Sequence, residues 1–258
     1  MSQRRIACST LPWTDQPLAS VLGTIDSAGF EYWELPIRGD NVHLGHLDPA
    51  DLLADAGAAQ SLVIAARSHP RLKLLSAGFE IHRGSPLERE LTLFNACLSV
   101  LQDLGAAFVT IFAFDDGAAP RMQRLEAMAE AASRAGLRLL VETHRRTATE
   151  VPEIAAELAS CGYALTLDHS HYVSKDVPRQ RMAPLRSHAH LLQVRGCASG
   201  QVECPVQTHD EAQAAKDWLQ WLTSMAPSDA PLVIEHIDRN RDWWPSIKRW
   251  QQLARELA

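Results

Sequence analysis

Four short stretches hold the residues best suited to chemistry: Val141-Glu142-Thr143-His144, Leu167-Asp168-His169-Ser170-His171, Leu192-Gln193-Val194-Arg195 and Val233-Ile234-Glu235-His236. In each, polar side chains follow directly on an apolar run. A carboxylate at the end of a buried strand costs several kcal/mol unless it is partnered, so Glu142, Asp168 and Glu235 converging on one place would require a cation. For any one of them taken singly, a salt bridge to a nearby arginine or a helix-capping role is the alternative. His144 has the same parity as Glu142 and so shares its face in a strand, and Arg195 shares a face with Gln193. An arginine there can grip a bound oxygen or neutralise the carboxylates.

These stretches need elements to position them. Strand-like runs recur at 5–10, 32–37, 72–77, 108–114, 138–143, 163–168, 190–195 and 231–237. Helical patterns lie between them at 17–28, 50–68, 86–104, 119–135, 150–160 and 209–225, and a last one follows at 244–257. The connection around 178–186 is the weakest. Gly29, Gly105, Gly136 and Gly162 each stand between a helix and the next strand, as a left-handed helix stop requires. Eight such units in 258 residues, with no internal linker, predict an α/β fold, a single (β/α)8 TIM barrel domain over residues 1–258. A doubly wound nucleotide fold would want glycines after the first strand, and Cys8-Ser9-Thr10-Leu11-Pro12-Trp13 has none. In a closed barrel, the four stretches fall at the C-terminal strand ends, where functional residues gather.

Composition narrows the class of partner. With 25 Lys+Arg against 31 Asp+Glu and a formal charge of −6, there is no basic stripe for nucleic acid. No apolar run approaches the roughly 20 residues of a membrane span, and residues after Arg4 and Arg5 do not read as a signal peptide. A cytoplasmic protein acting on a small molecule is expected. The five cysteines are odd in number and far apart, and so are read as reduced thiols. Trp218, Trp221, Trp243, Trp244 and Trp250 are spaced as packing residues, for the core or for the interface of a homo-oligomer.

The order of these motifs resembles the xylose isomerase-like TIM-barrel superfamily, the sugar phosphate isomerases and epimerases. The resemblance runs from Gly29-Phe30-Glu31-Tyr32-Trp33-Glu34-Leu35 on the second strand, through Glu142-Thr143-His144, Asp168 with His171, and Val194-Arg195-Gly196, to Ile234-Glu235-His236. It implies a divalent metal held by Glu142, Asp168, the strand-seven position and Glu235. The family places His on strand seven, where this chain has Gln193. His190 is the obvious substitute but points to the opposite face, so Gln193 is expected to serve through its amide oxygen. Three carboxylates and an amide make an all-oxygen set, which favours Mn²⁺ or Mg²⁺ over Zn²⁺.

On this reading the chain is a metal-dependent isomerase or epimerase of a small, carbohydrate-like carbonyl compound, working through an enediolate. Glu142 and Glu235 serve as base and acid. His171, His144, Arg195 and Glu34 are candidate substrate contacts, and Trp13 a candidate wall for a sugar ring or a cap on the barrel. His43, His46 and His82 fall in loops that could line the opening. A lyase or dehydratase using the same groups is the first rival, followed by a sugar-binding barrel with a decayed metal site. An endonuclease IV-like phosphodiesterase would want more histidines and a basic face.

Overall fold

The computed structural model describes residues 4–37, 45–80, 85–114 and 120–257. His43 and His82 lie outside them. Eight strands close a parallel barrel: β1 (Ile6–Ser9), β2 (Tyr32–Ile37), β3 (Lys73–Phe79), β4 (Phe108–Phe112), β5 (Arg138–Glu142), β6 (Ala164–Asp168), β7 (Ala189–Val194) and, after a two-stranded hairpin of β8 (Gly196–Ala198) and β9 (Gln201–Cys204), β10 (Leu232–Ile234). The barrel order is β1-β10-β7-β6-β5-β4-β3-β2. β6 and β10 are buried along their whole length, as expected of parallel strands covered on both faces. No helix among the described residues is long and apolar enough to cross a membrane.

The chain forms two compact units, one of the first strand with everything from Glu142 onward and the other of Trp13–Val141. In the second unit, α1 (Leu18–Ser27), α2 (Pro49–Ala54), α3 (Ala56–Arg67), α4 (Leu87–Asp103) and α5 (Arg121–Arg134) accompany the strands. Phe79 of β3 packs on Phe94 of α4 with ring centroids 5.0 Å apart. In the first unit, α6 (Pro152–Ser160), α7 (Ser170–Val173), α8 (Arg179–Met182), α9 (His209–Thr223) and α10 (Trp244–Leu257) surround its strands.

The glycine stops work as the sequence predicts. Gly29, Gly105, Gly136 and Gly162 all have φ between 70° and 95°. Beyond each, the next amide reaches back to a last-turn carbonyl: Phe30 to Ile25, Ala106 to Leu101, Leu137 to Ala132 and Tyr163 to Leu158. This is the Schellman arrangement, and it turns each helix directly into the following strand.

Two features differ from the sequence pattern, the helix break at Asp55 and the β8–β9 hairpin, while the sixth connection is as weak as the pattern predicts. The helix expected at 50–68 breaks at Asp55, whose extended backbone lets its carboxylate accept from the Gly57 amide at 2.8 Å and start a new helix. The weak sixth connection contains only α7, α8 and a 3-10 turn at Ala183–His188. The β8–β9 hairpin has no counterpart in the sequence reading.

Gly162, at φ +95°, gives a test of the helix-to-strand turn. Gly162→Ala forces a Cβ into the left-handed region and should lower stability by about 1–2 kcal/mol, seen as a lower urea midpoint with an unchanged slope.

Candidate active site

All residues of the cluster described below belong to the unit that begins at Glu142. Glu142 ends β5 and Asp168 ends β6. Gln193 pairs in register with Asp168 on one side and Val233 on the other. Arg195 follows β7, and Glu235 follows β10 with its amide donating to the Val194 carbonyl at 3.1 Å. Parallel pairing thus brings the ends of four strands together.

Arg195 is the centre of the electrostatics. Its guanidinium, 1% exposed, donates through Nη2 to Glu235 Oε2 at 2.6 Å and to Asp168 Oδ2. Asp168 Oδ1 accepts from the Ser170 amide at 2.9 Å and its hydroxyl at 2.6 Å. Burial alone would raise the Asp168 carboxyl, but Arg195 first, then His171 and His169, hold it below the usual carboxylate range. Burial likewise works against the Arg195 charge, while Asp168, Glu235, Glu203 and Glu142 together keep it protonated. The salt bridge that a single carboxylate could have formed is therefore a three-member network.

On the strand-five side stands a second group. Glu142, His144 and His171 present ligand-type atoms all within 4.8 Å of one another. The two imidazoles meet edge to face with centroids 4.1 Å apart. His144 Nδ1 lies 2.6 Å from the Arg145 carbonyl, an acceptor, so that nitrogen carries the proton and Nε2 keeps its lone pair. The turn holding His144 is fixed: Thr149 Oγ1 donates to the Glu142 carbonyl at 2.6 Å and accepts from the His144 amide, and Thr147 Oγ1 donates to the His144 carbonyl. His171 is 2% exposed, and neither ring nitrogen has a hydrogen-bond partner, although Nε2 lies 3.3 Å from Asp168 Oδ2. Burial lowers His171 well below the ordinary imidazole range, and His144 and His169 to about 4, so all three are neutral at pH 7.

Glu203, on the hairpin, braces the chain beside this cluster and is a residue that the sequence pattern did not single out. Its carboxylate accepts from the Ile237 amide at 2.7 Å, the Asp238 amide at 3.0 Å and His236 Nδ1 at 3.0 Å. These bonds hold the chain beyond Glu235, and they take Ile237 out of the expected strand. His236 stacks on Trp243 with centroids 4.0 Å apart. The available signal was Ser199-Gly200, a turn dipeptide between two short polar-apolar runs, with Gly200 at φ 72°.

Trp13 and Glu34 belong to the other unit. Trp13 is buried in the 3-10 turn Leu11–Trp13, and Glu34 on β2 accepts from Ser76 Oγ at 2.7 Å.

Of the four residues that the family resemblance implies as metal ligands, Asp168 and Glu235 are bound by Arg195. Gln193 Oε1 is buried without a partner, and Glu142 stands with His144 and His171. A dication about 4 Å from the guanidinium would meet a repulsion of about 8 kcal/mol at an effective dielectric of about 20. The residues fit a divalent ion at Glu142, His144 and His171, where a carboxylate, a lone-pair nitrogen and an unpartnered imidazole face one another.

No family model matches the sequence, and a search of curated proteins found no match. Solved structures do match. A xylose isomerase-like TIM barrel protein from Mycobacterium smegmatis in complex with magnesium aligns over 100% of this chain and 98% of its own, at a TM-score of 0.70 and 13% identity. The fold is that of the xylose isomerase-like TIM barrels. The probable 3-DHS dehydratase of petrobactin synthesis from Bacillus anthracis covers 98% of both chains at TM-score 0.69 and 13% identity. The 3-keto-D-glucoside 4-epimerase from E. coli, in its apo form, covers 98% of this chain and 100% of its own at 0.65 and 13%. Proteins with this xylose isomerase-like fold thus include both an epimerase and a probable dehydratase.

Two outcomes follow from the electrostatics. Arg195→Met leaves Asp168 buried without its main partner and should cost about 3–5 kcal/mol at neutral pH, with the deficit in urea denaturation shrinking as acid protonates the carboxylates. His169, 1% exposed, titrates near 4 in the folded chain against 6.5 unfolded, so the unfolded chain takes up the proton first. Stability from this residue is complete above pH 6.5 and declines as the pH falls toward 4; His169→Gln should flatten that part of the stability–pH curve.

Proposed function

We propose that the chain is an isomerase or epimerase of a small polyhydroxylated carbonyl compound, moving a proton at the carbon between a carbonyl and a hydroxyl. The observation that carries this reading is the placement of Glu142 and Glu235 at the ends of different strands around the buried Arg195 guanidinium, which bonds Glu235 directly and whose charge Glu142 helps to stabilise. One carboxylate removes the proton and the other returns it, which gives epimerisation or keto–aldose exchange. Arg195 stays charged throughout and has Nε and Nη1 without protein partners, so it is suited to hold the oxyanion that develops as the proton leaves. His144 and His171, neutral in this surrounding, can bind substrate hydroxyls. A divalent metal in the cluster would polarise the substrate carbonyl. The 3-keto-D-glucoside 4-epimerase of the same fold supports a carbohydrate-like substrate. The probable dehydratase supports a second reading, in which the same base removes the proton and a neighbouring hydroxyl departs as water.

A panel of ketoses, aldoses and their acids incubated in D₂O with added divalent metal should show deuterium at carbon next to the carbonyl for at least one compound. Glu142→Gln and Glu235→Gln should each slow this exchange about 10²–10⁴-fold. Water loss to a deoxy or unsaturated product would assign the dehydratase instead, and no change in any compound would defeat both readings.

A further inference from the structure

We infer that this barrel holds its divalent metal on Glu142, His144 and His171, with Arg195 taking over the cationic role between Asp168 and Glu235. The inference deepens the metal part of the reading above, but it is tested by binding and stands or falls separately from any turnover.

Asp168 and Glu235 share the Nη2 of one buried guanidinium, and Asp168 Oδ1 is taken by Ser170. Each carboxylate already has its positive partner. A dication entering there would have to expel a fully buried arginine or sit against it. Gln193 stands beside Asp168 in register, and an amide oxygen is a weaker donor to a divalent ion than the imidazole it replaces.

Glu142, His144 and His171 lie within 4.8 Å of one another across their ligand atoms. His171 is 2% exposed, neither ring nitrogen has a hydrogen-bond partner, and its only ionic neighbour among the described residues is Asp168 Oδ2 at 3.3 Å from Nε2, so a bound ion would satisfy the ring. His144 is locked in one tautomer by the Arg145 carbonyl, leaving a lone pair on Nε2. A carbonyl behind a ligating histidine is the usual outer support of a metal-bound imidazole. Asp168, 3.3 Å from His171 Nε2, stands as a charged neighbour of that ring.

The donor set decides the metal. Two imidazoles and one carboxylate suit Zn²⁺ or Co²⁺ and disfavour Mg²⁺, which prefers an oxygen shell. This reverses the preference that an all-oxygen set of Glu142, Asp168, Gln193 and Glu235 would give.

The test is direct titration of the chelator-stripped full chain with Co²⁺, read by its visible absorption, followed by competition with Zn²⁺ and Mg²⁺. One Co²⁺ per chain should bind, Zn²⁺ should displace it, and Mg²⁺ in large excess should not. Glu142→Gln and His171→Asn should each weaken Co²⁺ at least about tenfold, and Glu235→Gln should leave it within about threefold. His144→Asn, at a partly exposed position, serves as the variant that keeps its fold if His171→Asn does not, each checked by circular dichroism. Equal losses in Glu235→Gln and His144→Asn, or displacement by Mg²⁺ at equal concentration, would overturn the assignment in favour of the four-residue set. Absence of any bound Co²⁺ would overturn it in favour of Arg195 as the sole cation of the site.

Discussion

Burying carboxylates at one end of a parallel barrel requires positive charge at the same place, and the arrangement around Asp168 depends on how that need is met. Arg195 meets it from within the chain, gripping Asp168 and Glu235 through one nitrogen. A guanidinium is a permanent cation that cannot be stripped by a chelator or lost by deprotonation. It ties the Asp168 and Glu235 carboxylates together, while Glu142 stands with the two histidines at the end of β5. The site is therefore polarised, with a fixed charge at one edge and the Glu142, His144 and His171 cluster at the other.

Much of the barrel was legible in the residue pattern because parallel strands and their helices repeat one local grammar. The four glycine stops were readable one by one, since each helix must turn into a strand within a residue or two and only a left-handed position does so at low cost. The placement of Glu142, Asp168 and Glu235 at strand ends was likewise readable from apolar runs that end in acid. What could not be read was pairing. Arg195 shares a face with Gln193 by simple alternation, but which carboxylates it reaches depends on the stagger between β6, β7 and β10, which no single segment encodes. The break at Asp55 was hidden for another reason: the apolar pattern continues through it, and the Asp55 side-chain cap on the Gly57 amide is what ends one helix and starts the next.

Similarity of backbone and similarity of chemistry separate clearly in this molecule. At 13% identity the path of the chain is shared with the magnesium-bound barrel protein from Mycobacterium smegmatis along its whole length. The barrel supplies strand ends at fixed spacing, and the side chains that stand there decide the chemistry. In this chain Gln193 and Arg195 stand two residues apart at such a strand end, and Arg195 supplies positive charge to Asp168 and Glu235 from within the chain.

The hairpin after β7 has a consequence for anyone exchanging loops between such barrels. Glu203 serves as acceptor for two backbone amides and one imidazole just past Glu235, although it lies some thirty residues earlier in the chain. Replacing the hairpin with a loop from another barrel would leave those amides without their acceptor and release the turn that carries β10 into α10. The two segments form one inheritable module, and a transplant that moves one must bring the other with it.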